Sequence, residues 1–258
     1  MRLHVETRLD YEFPESVESL LHLEAAYDDG QLVGAESLTF DPPIPWVRRD
    51  DAETGERRVA FTHQGRLKIA YDVEVEVLPA DHRLASAVRH SVAALPVEIL
   101  PYLRGSRFCE SDRFERVAHR EFPSVTGGDR VEAIVEWLRG HLDYRPGSSA
   151  GTTTAADTYL SRYGVCRDFA HLAIALCRAS DIPARMVSVY ALGLETEDFH
   201  AVAEAYVGER WRLFDPSGLA SVDGMIRVGH GRDAADIAFL TIFGEAMMWA
   251  QSVRVRSI

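Results

Sequence analysis

Tyr163-Gly164-Val165-Cys166-Arg167-Asp168-Phe169-Ala170-His171-Leu172 is the stretch from which the rest of the chain is read. Apolar or small residues at Val165, Phe169, Leu172, Ala173 and Leu176 recur at helical spacing, so a helix starts near Val165, with Gly164 as its entry. Cys166 then sits in the first turn, where backbone N–H groups lack intrahelical partners and the positive end of the helix dipole favours a thiolate. Its own N–H would point toward an oxyanion forming on an attacked carbonyl. The bland alternative is one more core cysteine, since free cysteines are among the most buried residues. Cys177 lies about three turns further along the same face, deep in the apolar stripe, and is read as core.

A thiolate nucleophile needs a base oriented by a third group. Downstream, Phe199-His200-Ala201-Val202-Ala203-Glu204-Ala205-Tyr206-Val207, then Gly208-Glu209, then Arg210-Trp211-Arg212-Leu213-Phe214-Asp215 reads as a β-hairpin. Glycine at the first loop position suits a two-residue type II′ connection. In that register Val207 faces Arg210 and Val202 faces Asp215, which makes His200 a diagonal, same-face neighbour of Asp215. Diagonal positions lie about 7–8 Å apart, within reach of a histidine–carboxylate hydrogen bond. A slip of one residue would put the two on opposite faces. The chain contains no asparagine, so the orienting group must be an acid.

The remaining sequence narrows the class. Hydrophobic residues make up 47% and charged residues 26%, close to the globular average. With 40 acidic against 28 basic residues the net charge is −12, which argues against nucleic-acid binding and against anionic membrane surfaces. No apolar run is long enough for a membrane span, and the charged N-terminus lacks the apolar core of a secretory signal. Three widely spaced cysteines, Cys109, Cys166 and Cys177, argue against a disulfide framework and for a reducing, cytoplasmic setting.

Residues 1 to about 78 look β-rich, with short strands such as Val33–Phe40, Val59–Thr62 and Leu67–Leu78 between turn signals. A small sandwich or an open antiparallel sheet is expected there. Helices follow. Asp129 with Glu132 resembles an N-cap and its reciprocal partner, opening an amphipathic helix over about 130–141. Tyr144 to Thr154 is a loop. The expected division is a β-rich region at 1–85 and a catalytic domain at 86–258.

Gly164-Val165-Cys166-Arg167-Asp168-Phe169-Ala170, Ile182-Pro183-Ala184-Arg185, His200-Ala201 and Trp211-x-x-x-Asp215-Pro216 together resemble the core of the bacterial transglutaminase-like superfamily. Tyr102–Phe108 and Gly229–Ala234 also resemble segments of that group, as does the β-rich start. The resemblance implies an α+β, papain-like core: a cysteine at a helix N-terminus, packed on an antiparallel sheet that carries histidine and aspartate. It implies a thioester formed from an amide or ester and passed to water or an amine, with Cys166, His200 and Asp215 as the catalytic set. A side-chain oxyanion donor is expected upstream of the cysteine, with Tyr144, Tyr159 and Thr152–Thr154 as candidates. Ser180-Asp181 departs from the family, which commonly has glycine before Ile182-Pro183.

Other motifs weigh less. Gly229-His230-Gly231-Arg232-Asp233-Ala234 matches a dinucleotide fingerprint but lacks the βαβ setting and the later acid; a loop near the active site, with His230 on its rim, is the reading taken. Cys166, His171 and Cys177 have the wrong spacing for zinc. No metal or cofactor is expected. Asp168 reads as a solvated or capping carboxylate, and Trp211 either lines the acyl site or packs over it. Three functions compete: a hydrolase acting on a peptide or small amide substrate, an acyltransferase to an amine, and a non-catalytic scaffold. The oligomeric state and the substrate are not legible.

Overall fold

In the computed structural model, which describes all 258 residues, period-two alternation of buried and exposed side chains builds the first sheet. Its strands are β1 (Arg2–Leu21), β2 (Gln31–Asp41), β3 (Trp46–Asp50) and β4 (Arg57–Val77). β1 and β4 pair antiparallel along nearly their whole lengths, interrupted by one irregularity between Phe13 and Val17. The short strands expected at Val59–Thr62 and Leu67–Leu78 are thus parts of one long strand. Gly65, with φ +92°, lies at the irregularity and lets the strand continue through it.

The middle of the chain is helical: α1 (Glu115–Glu121), α2 (Gly127–His141), then β5 (Asp143–Tyr144), α3 (Ala155–Ser161), β6 (Tyr163–Gly164) and α4 (Cys166–Arg178). The helix expected over 130–141 is α2, but Thr126 is its N-cap residue and Asp129 lies inside the first turn. The Asp129 carboxylate accepts instead from the Ser86 N–H, at 2.7 Å. A second antiparallel sheet follows, with β7 (Ala184–Ala191), β8 (His200–Val207), β9 (Arg210–Phe214) and β10 (Met225–Gly231) in the order β10-β7-β8-β9.

α4 packs on β7 and β8, and its buried face joins Val131, Ile134 and Leu138 of α2 in the largest apolar core. After the short α5 (Ala234–Ile237), β11 (Leu240–Ile242) and β12 (Met247–Ser257) return to pair with β1. The division at residues 85/86 assigns this C-terminal stretch to the catalytic part; its strand pairing is with the first sheet. A second core, containing Leu3, Val5, Leu9 and Tyr71, takes in Tyr190, Ile226 and Val228 and so joins the two sheets. No helix is long and apolar enough to cross a membrane.

Candidate active site

The hairpin of β8 and β9 has the register read from sequence: Val207 faces Arg210, Tyr206 faces Trp211, and the series runs to Ala203 opposite Phe214. One further step brings Asp215 opposite Val202, on the face of His200. The turn differs from the expectation. Gly208 and Glu209 both have positive φ, 61° and 63°, which is type I′ rather than type II′. Glu209 is held in this unfavourable region while its N–H donates to His90 Nε2 at 3.0 Å.

The register delivers the contact. His200 Nε2 lies 2.9 Å from Asp215 Oδ2, and both side chains are buried. With a carboxylate as acceptor, Nε2 carries the proton, leaving Nδ1 as the ring's other nitrogen. Four more donors converge on Asp215. Ser217 N–H and Oγ–H donate to Oδ1, at 2.9 and 2.6 Å, and the Leu219 and Ala220 N–H groups donate to Oδ2, both at 3.1 Å. Burial raises the Asp215 pKa, but the bond and charge of His200 and the other donors outweigh it and hold it below the usual carboxylate range. Burial likewise opposes a charged His200, yet Asp215 and the neighbouring Cys166 raise its pKa to about 9.

Cys166 opens α4, and of the three cysteines it alone is partly exposed. Local sequence places it there. The Asp168 carboxylate reaches back to the Val165 N–H at 2.9 Å, holding the entry to the helix. Asp168 is therefore a capping residue, fully buried rather than solvated, and its other oxygen accepts from Ser149 Oγ at 2.8 Å. Gly164 is required because a Cβ there would sit 2.7 Å from the Asp168 Cβ. At the far end of α4, Asp181 occupies the left-handed region at φ 56°, which explains why glycine suits the position in the family and why aspartate is tolerated.

Among the upstream candidates only Tyr144 stands at the cysteine. β5 and β6 pair in parallel, setting Tyr144 opposite Gly164, two residues before Cys166. Burial foremost, then the charge of Cys166, raises the Tyr144 hydroxyl pKa to about 12, while the Cys166 backbone N–H acts in the opposite sense. Thr154 instead N-caps α3 through Asp157. Tyr159 stacks on Trp137 at 5.9 Å.

The other motifs lie elsewhere. Cys109 and Cys177 are fully buried, and burial raises both thiols, Cys177 to about 12. His171 is buried against Phe108 and accepts from the Ala234 N–H at 3.2 Å. Gly229–Gly231 lies in β10, antiparallel to β7, so the βαβ setting of a nucleotide fingerprint is missing. His230 faces Glu56 in the loop before β4, Nδ1 to Oε1 at 3.4 Å, rather than forming a rim at His200. Trp211 shares the His200 face but lies four residues before Asp215. It packs on Tyr102, Tyr206 and the Arg185 guanidinium, and lines a cleft of about 910 Å³ between the sheets.

Comparison with known proteins places the fold. The family model of the transglutaminase-like superfamily matches residues 117–216, the span that holds Tyr144, Cys166, His200 and Asp215. A crystal structure of a Cytophaga hutchinsonii protein is 34% identical, with TM-score 0.94, covering 100% of this chain and 91% of that one. An uncharacterised protein of Mycobacterium leprae is 36% identical over 116 residues, 42% of each chain. One of Mycobacterium tuberculosis is 36% identical over 111 residues, 36% of this chain and 35% of that one. The match thus spans less than half the length of these curated relatives. With likeness to the Cytophaga protein running through both sheets and the family core falling on the Cys166 helix and the His200–Asp215 hairpin, the chain belongs to the transglutaminase-like superfamily.

Proposed function

We propose that the protein is a cysteine-dependent acyl-transfer enzyme that cleaves amide bonds through a thioester, with Cys166 as nucleophile, His200 as base and acid, and Asp215 as the group that orients His200. The observation that carries this reading is the buried His200–Asp215 pair, with a raised imidazole pKa, beside a partly exposed cysteine at a helix N-terminus. An imidazolium next to a sulfur in that position is the arrangement that activates thiolates.

In the first half-reaction the Cys166 sulfur, its proton on His200, attacks the carbonyl carbon of the amide. The electron pair of the C=O bond moves to oxygen, and the oxyanion is met by the Cys166 N–H and the Tyr144 hydroxyl. Collapse restores the carbonyl and breaks the C–N bond, while His200 gives its proton to the departing amine. Water, deprotonated by His200, then attacks the thioester and releases the acid and the thiol. Asp215 holds the imidazole through Nε2 in both halves and stabilises its charged form.

A peptide or small amide is the substrate class proposed, and water the acceptor, since water is abundant and no side chain marks an amine-binding pocket. The Cytophaga hutchinsonii relative, provisionally described as a cysteine protease, points the same way. Transfer to an amine uses the same three residues and would show as amine incorporation in competition with hydrolysis. The test is the alkylation rate of each cysteine by iodoacetamide from pH 5 to 9, read by mass spectrometry in wild type and His200→Ala. Cys166 should react far faster than Cys109 and Cys177 near pH 6 and lose that advantage without His200. Slow, equal labelling of all three would overturn the proposal and favour a scaffold.

A further inference from the structure

We infer that Arg139, on α2, is a positioning residue of the proposed site, acting on His200 and Cys166 through the turn that presents Asp215; the inference rests on the acyl-transfer reading above. Residues 215–218 form a turn closed by the Gly218 N–H donating to the Asp215 C=O at 3.3 Å. Asp at the first position, Pro at the second and Gly at the fourth are the residues a type I turn prefers. The four donors that fix the Asp215 carboxylate, His200 aside, come from Ser217, Leu219 and Ala220 in and just after this turn. The direction in which Oδ2 faces His200 is therefore set by where the turn sits.

Arg139 holds the turn from outside. Its Nη2 donates to the Asp215 carbonyl at 2.6 Å and its Nε to the Pro216 carbonyl at 3.4 Å, across 76 and 77 positions of chain. Apart from His200, it is the one side chain outside residues 215–220 that bonds this segment. Gly218 completes the fit. At φ +73°, it presents no Cβ where one would come within 2.9 Å of the Arg139 guanidinium carbon. Glycine at 218 both adopts the positive φ and leaves the guanidinium its place. Arg139 is exposed along part of its length, and its guanidinium fork suits two adjacent carbonyls in a way a lysine ammonium cannot match.

The contact predicts a signature that stability alone does not produce. In Arg139→Met the turn loses its anchor, the His200–Asp215 bond lengthens or breaks, and the His200 titration midpoint falls toward the ordinary value. Cys166 alkylation near pH 7 should slow by up to about fourfold, the loss of imidazolium if the midpoint fell all the way to 6.5. Cys109 and Cys177 should stay unreactive. Arg139→Lys, which can still reach one carbonyl, should recover part of the rate.

The experiment follows iodoacetamide labelling of Cys166 from pH 5 to 9 in wild type, His200→Ala, Arg139→Met and Arg139→Lys, together with the NMR titration of His200. A lowered midpoint and slower labelling in Arg139→Met, partly restored in Arg139→Lys, supports the role. A wild-type midpoint and labelling profile in Arg139→Met overturns it, whatever happens to the melting temperature. Wild-type protein in which Cys166 reactivity does not depend on His200 overturns the acyl-transfer reading first, and this inference with it. Should Arg139→Met fold poorly, the wild-type against Arg139→Lys comparison carries the same decision.

Discussion

Asp215→Asn is the substitution that tests the site most severely, because asparagine has the right shape and the wrong chemistry. Two donors approach Oδ1, the N–H and hydroxyl of Ser217; three approach Oδ2, the N–H groups of Leu219 and Ala220 and His200 Nε2. An amide NH₂ at either position meets at least one backbone N–H that cannot turn away, so only a group accepting on both sides fits. Buried donors left unmatched cost about 1–3 kcal/mol each, and the variant should lose stability on that scale. The larger effect falls on His200. Its rise from an ordinary 6.5 to about 9, with Asp215 the leading favourable cause against burial, corresponds to roughly 3 kcal/mol between its protonation states.

A pKa raised in the folded state stabilises the protein fully below the unfolded value, and the contribution fades as pH rises through the folded one. Wild type should therefore lose up to roughly 3 kcal/mol of unfolding free energy between about pH 6.5 and 9, and Asp215→Asn should show less of that slope, with only Cys166 left to raise the imidazole pKa against burial. At pH 7.5 a histidine titrating at 6.5 is only about one-tenth protonated, so Cys166 alkylation should slow by up to about tenfold. The assays are NMR titration of His200, urea unfolding across the same pH range and mass-spectrometric labelling. A His200 midpoint still near 9 in Asp215→Asn would refute the argument that this carboxylate holds the imidazolium.

Three further outcomes follow from the same geometry. Tyr144→Phe removes the proposed side-chain oxyanion donor and should lower kcat on a responsive amide substrate about 100-fold or more with little change in KM; an unchanged kcat would leave the Cys166 N–H as the only donor. Gly164→Ala forces a Cβ to 2.7 Å from that of Asp168 and should destabilise by about 1–3 kcal/mol in thermal unfolding, disturbing Cys166 labelling as the cap shifts. Cys109 and Cys177, fully buried and with raised pKa values, should resist iodoacetamide until the protein is denatured; labelling of either in folded protein at neutral pH would contradict the core packing described.

Local and pairwise rules made much of this legible without coordinates. The apolar stripe from Val165 to Leu176 fixes the α4 helix and puts Cys166 in its first turn, because helical periodicity is written in the positions of its residues. The two-residue loop and period-two alternation give the β8–β9 register, and the register alone sets His200 and Asp215 on one face. The absence of asparagine gives the proposed orienting role to an acid, and the donors around Asp215 fit a group that accepts on both oxygens.

Contacts between distant segments have no such signature. Nothing in the spacing of Tyr144 and Cys166 singles that tyrosine out from Tyr159; only the two-residue parallel pairing of β5 with β6 does. Arg139 looks like any solvated residue near the end of an amphipathic helix until Asp215 and Pro216 are brought beneath it. The return of residues 240–257 to β1 closes a sheet between opposite ends of the chain, and Met247–Ala250, exposed on both sides, carry no alternation from which it could be read. The sequence thus determined the residues of the candidate site through local periodicity, hairpin register and composition. The tertiary structure decided which remote groups complete the site, because backbone pairing and carbonyl acceptors are common to every residue and acquire meaning only when folding brings them together.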